Sequence, residues 1–173
     1  DPRLLAKMDG PATGSLGRKY FRHELASAMY LFSNLPMLVE KMGWGKESKA
    51  VSLLFYLVAA HHGKVRTAIR SLPKEEPPEE GHVGDPGLWA RGVWDGDELP
   101  ALSVENWRFP RTKITMVPMS LGKDEELGSS WIQRVNDLIE DEELGPFRLG
   151  YLEGIVRAAD RRVSAGYEEV ERR

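Results

Sequence analysis

From Ser48 to Gly63 the chain reads as one helix that is apolar almost all round and ends in two adjacent histidines. Val51, Leu54, Phe55 and Val58 recur at three- and four-residue steps, and Leu53 and Leu57 widen that stripe. A helix of this kind has to lie inside a fold, with other elements packed on most of its sides. Ser48 is a residue type that caps helix N-termini, and Gly63 stands where a left-handed C-cap residue belongs. The pattern therefore predicts a helix running to His62, with His61 and His62 both in its last turn.

Further helices are expected around it. Leu25, Ala28, Met29 and Phe32 mark one from Arg22 to about Leu35, after which Pro36 signals a break or kink and Gly43-Trp44-Gly45 a loop. Trp131, Val135, Leu138 and Ile139 form a stripe after Ser130, and Gly145-Pro146 interrupts it. A final long helix, Phe147 to about Ala165, carries Leu149, Leu152, Ile155, Val156 and Ala159. Residues 1–19 read as a Gly- and Pro-rich loop after a short opening turn, and 71–87 as a polar loop rich in Pro and Glu. The Trp89–Trp94 and Lys113–Val117 segments, on either side of Asp95-Gly96-Asp97, suggest a small β-hairpin or ribbon around that Asp-Gly turn. With 173 residues, 41% apolar and 29% charged, the expected fold is a single, mainly α domain with one small β insertion.

The chain has no cysteine, so thiolate metal sites and disulfides are excluded and any metal must be held by His, Asp or Glu. No apolar run reaches the ~20 residues a membrane-crossing helix needs. Asp1-Pro2-Arg3 leads straight into mixed sequence without the pattern of a signal peptide, and a cytoplasmic location is expected. The net charge of -3 does not advertise nucleic-acid binding by the whole surface, but it leaves room for a local basic groove.

Three of the four histidines fall on expected helices. His23 opens one helix, and His61 and His62 close another; His82 lies in the acidic loop and is expected to face solvent. Neighbouring helical residues point about 100° apart, so His61 and His62 converge only if the backbone unwinds at the terminus. Three imidazoles from two helices would form a nitrogen-rich site for a divalent transition metal. The macrodipole also favours histidine at a helix C-terminus, so simple capping accounts for the pair equally well. Asp160, on an otherwise apolar helix face, needs a partner, which is either a metal or an arginine, with Arg157 one turn back and Arg161 and Arg162 near in sequence. Glu24 reads as a capping or exposed side chain, and Ser27, on His23's face, as a partner able to orient its ring. Lys64 and Arg66 follow the histidine pair and suit phosphate contacts or a solvated basic turn.

Phe21-Arg22-His23-Glu24, Leu57-Val58-Ala59-Ala60-His61-His62-Gly63-Lys64 and Arg157-Ala158-Ala159-Asp160 together resemble the ordered motifs of the HD nuclease domain of the CRISPR-associated type I helicase-nuclease. Ala90 to Asp97 and Gly145-Pro146-Phe147-Arg148 resemble the type I-G (I-U) branch, and the likeness covers residues 20–165. It implies an HD-domain helical bundle around two divalent metals, of which His23, His61 and His62 would hold one. Asp160 would hold the other together with an upstream His and His-Asp doublet. That doublet is absent, so the chain is expected to be the C-terminal portion of such a domain, beginning just after it.

The activity so implied is metal-dependent hydrolysis of phosphodiesters in single-stranded DNA. The DNA would be fed by a helicase portion of the same or an associated chain, within a CRISPR effector complex. Manganese, iron, cobalt, nickel or magnesium would suit the all-N/O ligand set. Two alternatives accompany this reading: an HD phosphohydrolase acting on nucleotides, and an HD-fold interaction module without complete catalytic machinery.

Overall fold

A computed structural model of the chain describes residues 18–171, with side chains as far as Ala165. All but the last two residues of the loop expected over 1–19 lie outside these residues. The fold is mainly α with short paired strands. Its helices are α1 (His23–Ser33), α2 (Leu35–Met42), α3 (Lys49–Ala60), α4 (Trp131–Glu140) and α5 (Gly145–Glu171).

As its composition requires, α3 lies at the centre. One side packs on α1, where the Phe32 and Phe55 rings approach to 3.9 Å between centroids. Other sides meet α4 and α5. Leu25, Met29 and Phe32 of α1 and Val51, Phe55 and Ala59 of α3 are buried against one another, and Trp131, Val135 and Leu138 of α4 extend the same core. The Ser48 hydroxyl accepts the amide of Val51 at the start of α3, and the Ser130 hydroxyl accepts that of Gln133 at the start of α4. Pro36 marks a helix start: α2 begins at Leu35, where proline in the first turn sacrifices no intrahelical bond.

At the other end of α3 the outcome differs from expectation. The helix stops at Ala60, His61 occupies the C-cap position and His62 lies beyond it. Gly63 takes φ +69° and its amide bonds back to Ala60 O at 2.6 Å, closing a tight turn in place of another helical one.

The β insertion is larger than one hairpin. Eight short strands form four antiparallel pairs: β1 (Trp89–Ala90) with β2 (Val93–Trp94), β3 (Glu98–Leu99) with β6 (Thr112–Lys113), β4 (Leu102–Val104) with β5 (Trp107–Phe109), and β7 (Lys123–Asp124) with β8 (Gly128–Ser129). The β3–β6 and β4–β5 pairs are successive parts of one ribbon, interrupted where Pro100 and Pro110 offer no N–H to the ladder. The Tyr30 hydroxyl of α1 reaches the carbonyls of both prolines, at 3.2 and 2.8 Å.

The tight turn of the first hairpin is Arg91-Gly92, both left-handed (φ +55° and +71°) as a two-residue hairpin loop requires. Asp95-Gly96-Asp97 instead joins β2 to β3, because its carboxylates are committed elsewhere: Asp97 accepts the Trp94 amide at 2.8 Å, and Asp95 the Met116 amide at 2.7 Å.

This hairpin positions the start of α1. A Cβ on Gly92 would come within 2.7 Å of the Phe21 backbone, and the Arg22 amide donates to Arg91 O at 2.9 Å. Arg18 makes two 2.7 Å bonds to the buried Asp97 carboxylate, and its guanidinium lies 3.4 Å over the Trp94 ring. The segment leading into His23 is thus clamped onto the β1–β2 hairpin and the turn that follows it.

On α5 the packed face is Leu149, Glu153, Val156 and Asp160, one residue per turn, because that face meets α3 and α4. Ile155 and Ala159, expected to be part of the apolar stripe, are exposed, as are Phe147 and Tyr151. Among the described residues no helix is long and apolar enough to cross a membrane.

Candidate metal centre

The first residue of α1, the two residues after α3 and the middle of α5 meet at one place. His23, His61 and His62 each offer a ring nitrogen, and the three nitrogens lie within 4.8 Å of one another. Nε2 of His23 and Nε2 of His62 are 3.1 Å apart. Two ligand nitrogens each about 2.1 Å from a common ion and at right angles to each other stand about 3.0 Å apart. The separation is compatible with two adjacent ligands and is also that of an N–H···N hydrogen bond between the two rings. Unwinding after Ala60 brings both histidines of the pair to the site, their ring centroids 4.2 Å apart.

The protonation chemistry also suits a metal. Nδ1 of His61 lies 2.7 Å from Val58 O, and a carbonyl only accepts, so Nδ1 carries the proton and Nε2 keeps its lone pair. Burial lowers the pKa of His23 below the ordinary histidine value, with His62 and His61 adding to the depression and Glu24 and Asp160 opposing it. The His62 pKa is lowered as well, by burial first and by His61 next. Both shifts favour the neutral imidazole that a metal requires. These residues fit a divalent ion.

Asp160 reaches the same place. Its Oδ2 lies 3.9 Å from His62 Nε2, and its side chain is 17% exposed. Of the two partners open to it on sequence grounds, it sits by the histidine cluster and is not paired with Arg157. Ser27 is half-buried on α1 and, among the described residues, makes no hydrogen bond to His23.

Two expectations need correction. Glu24 is neither a cap nor exposed: it is completely buried, with Oε2 3.7 Å from His23 Nδ1. His82 does not face solvent freely, because the acidic loop folds back onto the ribbon. His82 Nε2 donates to Asp95 O at 2.7 Å, and its ring stands edge-on to Trp94.

Arg66 is not a free cation either. It bonds Glu153 Oε1 at 2.7 Å, while Tyr56 donates to Oε2 of the same buried carboxylate at 3.1 Å. Burial and the adjacent Glu153 push the Tyr56 phenol up to about 12. Trp131 Nε1 donates to Arg66 O at 2.7 Å and fixes the backbone beneath it. The Arg66 guanidinium is nonetheless half exposed, and Lys64 beside it is exposed.

Glu153 has no place in the sequence expectations and Glu24 only one as a cap or an exposed side chain, although both carry the same signal. Glu24 is four residues before Ala28, and Glu153 four after Leu149, so each is a carboxylate in register with a buried stripe.

In comparison with known proteins, no family model matches the sequence, and no curated protein and no solved structure matches it.

Proposed function

We propose that the chain is part of a metal-dependent nuclease of the HD kind that hydrolyses phosphodiesters in single-stranded DNA. The convergence of His23, His61 and His62 on one point, with Asp160 beside them, is the observation that carries this reading. It gives the three motifs of the resemblance a common location, although they lie far apart along the chain.

His23, His61 and His62 would hold one divalent ion, of manganese, iron, cobalt, nickel or magnesium. Such an ion supplies Lewis acidity for attack on a phosphodiester. The bond from His61 to Val58 O keeps one ligand's lone pair available, and the Arg18–Asp97 clamp on the segment before α1 fixes the approach of another. Arg66, held by Glu153, and the exposed Lys64 present positive charge next to the histidine turn, where they would grip the backbone of a strand with little sequence preference. Ligands for a second ion would come from an upstream segment, and a helicase portion within a CRISPR effector complex would deliver the strand.

A second reading, an HD-fold docking module, is favoured by one observation. Phe147, Tyr151 and Ile155 form an exposed apolar stripe on α5, opposite the face that packs on the core.

Cleavage of single-stranded DNA by the full-length protein with added Mn2+ tests the proposal. His61→Ala and His62→Ala should each abolish cleavage while leaving the circular dichroism spectrum unchanged. Cleavage retained by the double variant would overturn the assignment. Hydrolysis of free nucleotides but not of polynucleotide would point to a phosphohydrolase, and a folded full-length protein inert toward both would favour the docking module.

A further inference from the structure

The least compensated group beside the histidines is Glu24. Its side chain has no exposed surface, and neither carboxylate oxygen has a hydrogen-bond partner. An unpartnered buried carboxylate is strongly unfavourable, so a fold that keeps one needs a reason for it. Glu24 lies in the first turn of α1, where the helix macrodipole favours an acid, but no backbone amide bonds to either oxygen. The nitrogen that Glu24 does approach is Nδ1 of His23, 3.7 Å from Oε2. The opposite edge of the same ring presents Nε2 to His62 at 3.1 Å.

We propose that Glu24 is a positioning residue of the metal centre: its carboxylate accepts the Nδ1–H of His23, fixing the ring in the tautomer whose Nε2 lone pair points at the other two histidines. Closing the present separation to a charge-assisted hydrogen bond of about 2.8 Å takes less than about 1 Å of movement. The carboxylate then gains the partner it lacks and the imidazole becomes a more basic ligand. His61 obtains the same restraint from a backbone carbonyl, Val58 O, so the two rings are fixed by different acceptors on different helices. In the metal-free protein this tautomer makes His23 Nε2 the acceptor of the 3.1 Å contact and His62 Nε2–H its donor. The inference rests on the metal-binding reading above, but the tautomer it predicts can be observed without metal.

Long-range 1H–15N spectra of the full-length wild-type protein, free of metal, should show His23 protonated at Nδ1. Protonation at Nε2 instead overturns the proposal without recourse to any variant. Glu24→Gln keeps the shape and removes the charge. Its affinity for Mn2+ or Co2+, measured by calorimetry, should fall about 10- to 100-fold, the usual consequence of losing such a partner. The melting temperature of the metal-free variant should hold, because glutamine keeps the shape and its amide oxygen can still accept the His23 Nδ1–H. In a His23→Ala background Glu24→Gln should cause no further loss of affinity. Unchanged affinity in Glu24→Gln, with wild-type protein binding metal through His61 and His62, overturns this proposal and leaves the metal centre standing. Wild-type protein that binds neither ion overturns both. A fall in melting temperature parallel to the fall in affinity marks Glu24 as merely structural and also overturns the proposal.

Discussion

Arg134 and Glu24 are both ionisable side chains, both buried and both set in an apolar helical stripe, yet their surroundings are opposite. Arg134 is 2% exposed and every nitrogen of its guanidinium is engaged. Nε donates to Ser129 O, Nη1 to Lys46 O and the Ser52 hydroxyl, and Nη2 to Leu127 O, with Glu47 Oε2 3.5 Å away. It ties α4 to α3, to the loop before α3 and to the end of the β7–β8 hairpin. Glu24 has no partner for either oxygen. A satisfied buried charge specifies how elements dock. An unsatisfied one is tolerated where a ligand or a neighbouring ring completes it, and Glu24 stands against the histidine cluster.

Breaking the satisfied site should have the largest effect on stability. Arg134→Met removes a charge whose partners cannot follow it, leaving three carbonyls and the Glu47 carboxylate to find other donors. Removing one side of a buried charged network costs about 3–5 kcal/mol. Urea unfolding should register that loss, while Mn2+ affinity of the remaining folded protein stays near wild type. Loss of metal affinity out of proportion to unfolding would erase the contrast between the two regions. Tyr56→Phe is a milder probe, at a carboxylate between the two extremes. Glu153 keeps Arg66 but loses the donated phenol bond, and a hydrogen bond to a charged group is worth about 1.5–3 kcal/mol. The same unfolding measurement should place this variant between wild type and Arg134→Met.

The contrast also shows what a sequence can and cannot reveal. The helices, the Ser48 and Ser130 caps and the central position of α3 follow from periodicity and capping chemistry, which act within a few residues. The three histidines were legible because helix termini and Gly63 constrain them locally. Their convergence was expected only on condition that the backbone unwinds at the terminus; where it unwinds, at Ala60, and the clamp of Arg18 onto Asp97 across more than seventy residues leave no local signal. The four strand pairs were misread as one hairpin because strands of two or three residues show no alternation, and the Asp-Gly signal marked a turn committed to backbone capping. Glu24, Glu153 and Arg134 were all visible as polar residues in apolar register, but only packing reveals whether such a residue is satisfied.

The smallest effect should be a pH dependence located in the unsatisfied region. Burial, with neighbouring imidazoles, lowers the pKa values of His23 and His62 in the folded protein, whereas in the unfolded chain both return to about 6.5. The unfolded state therefore binds protons more readily. The stability that these two rings contribute is complete above about pH 6.5 and declines as pH falls from there through the lowered folded-state values. Thermal melts of metal-free protein should lose melting temperature between pH 7 and 5.5, before most carboxylates titrate, and His23→Gln with His62→Gln should flatten that slope. Saturating Mn2+ should steepen it, because the ion binds only neutral rings and adds to stability only where they remain so. A slope unchanged by the paired substitution would move the titrating groups away from the histidine cluster and deprive the comparison of its electrostatic half.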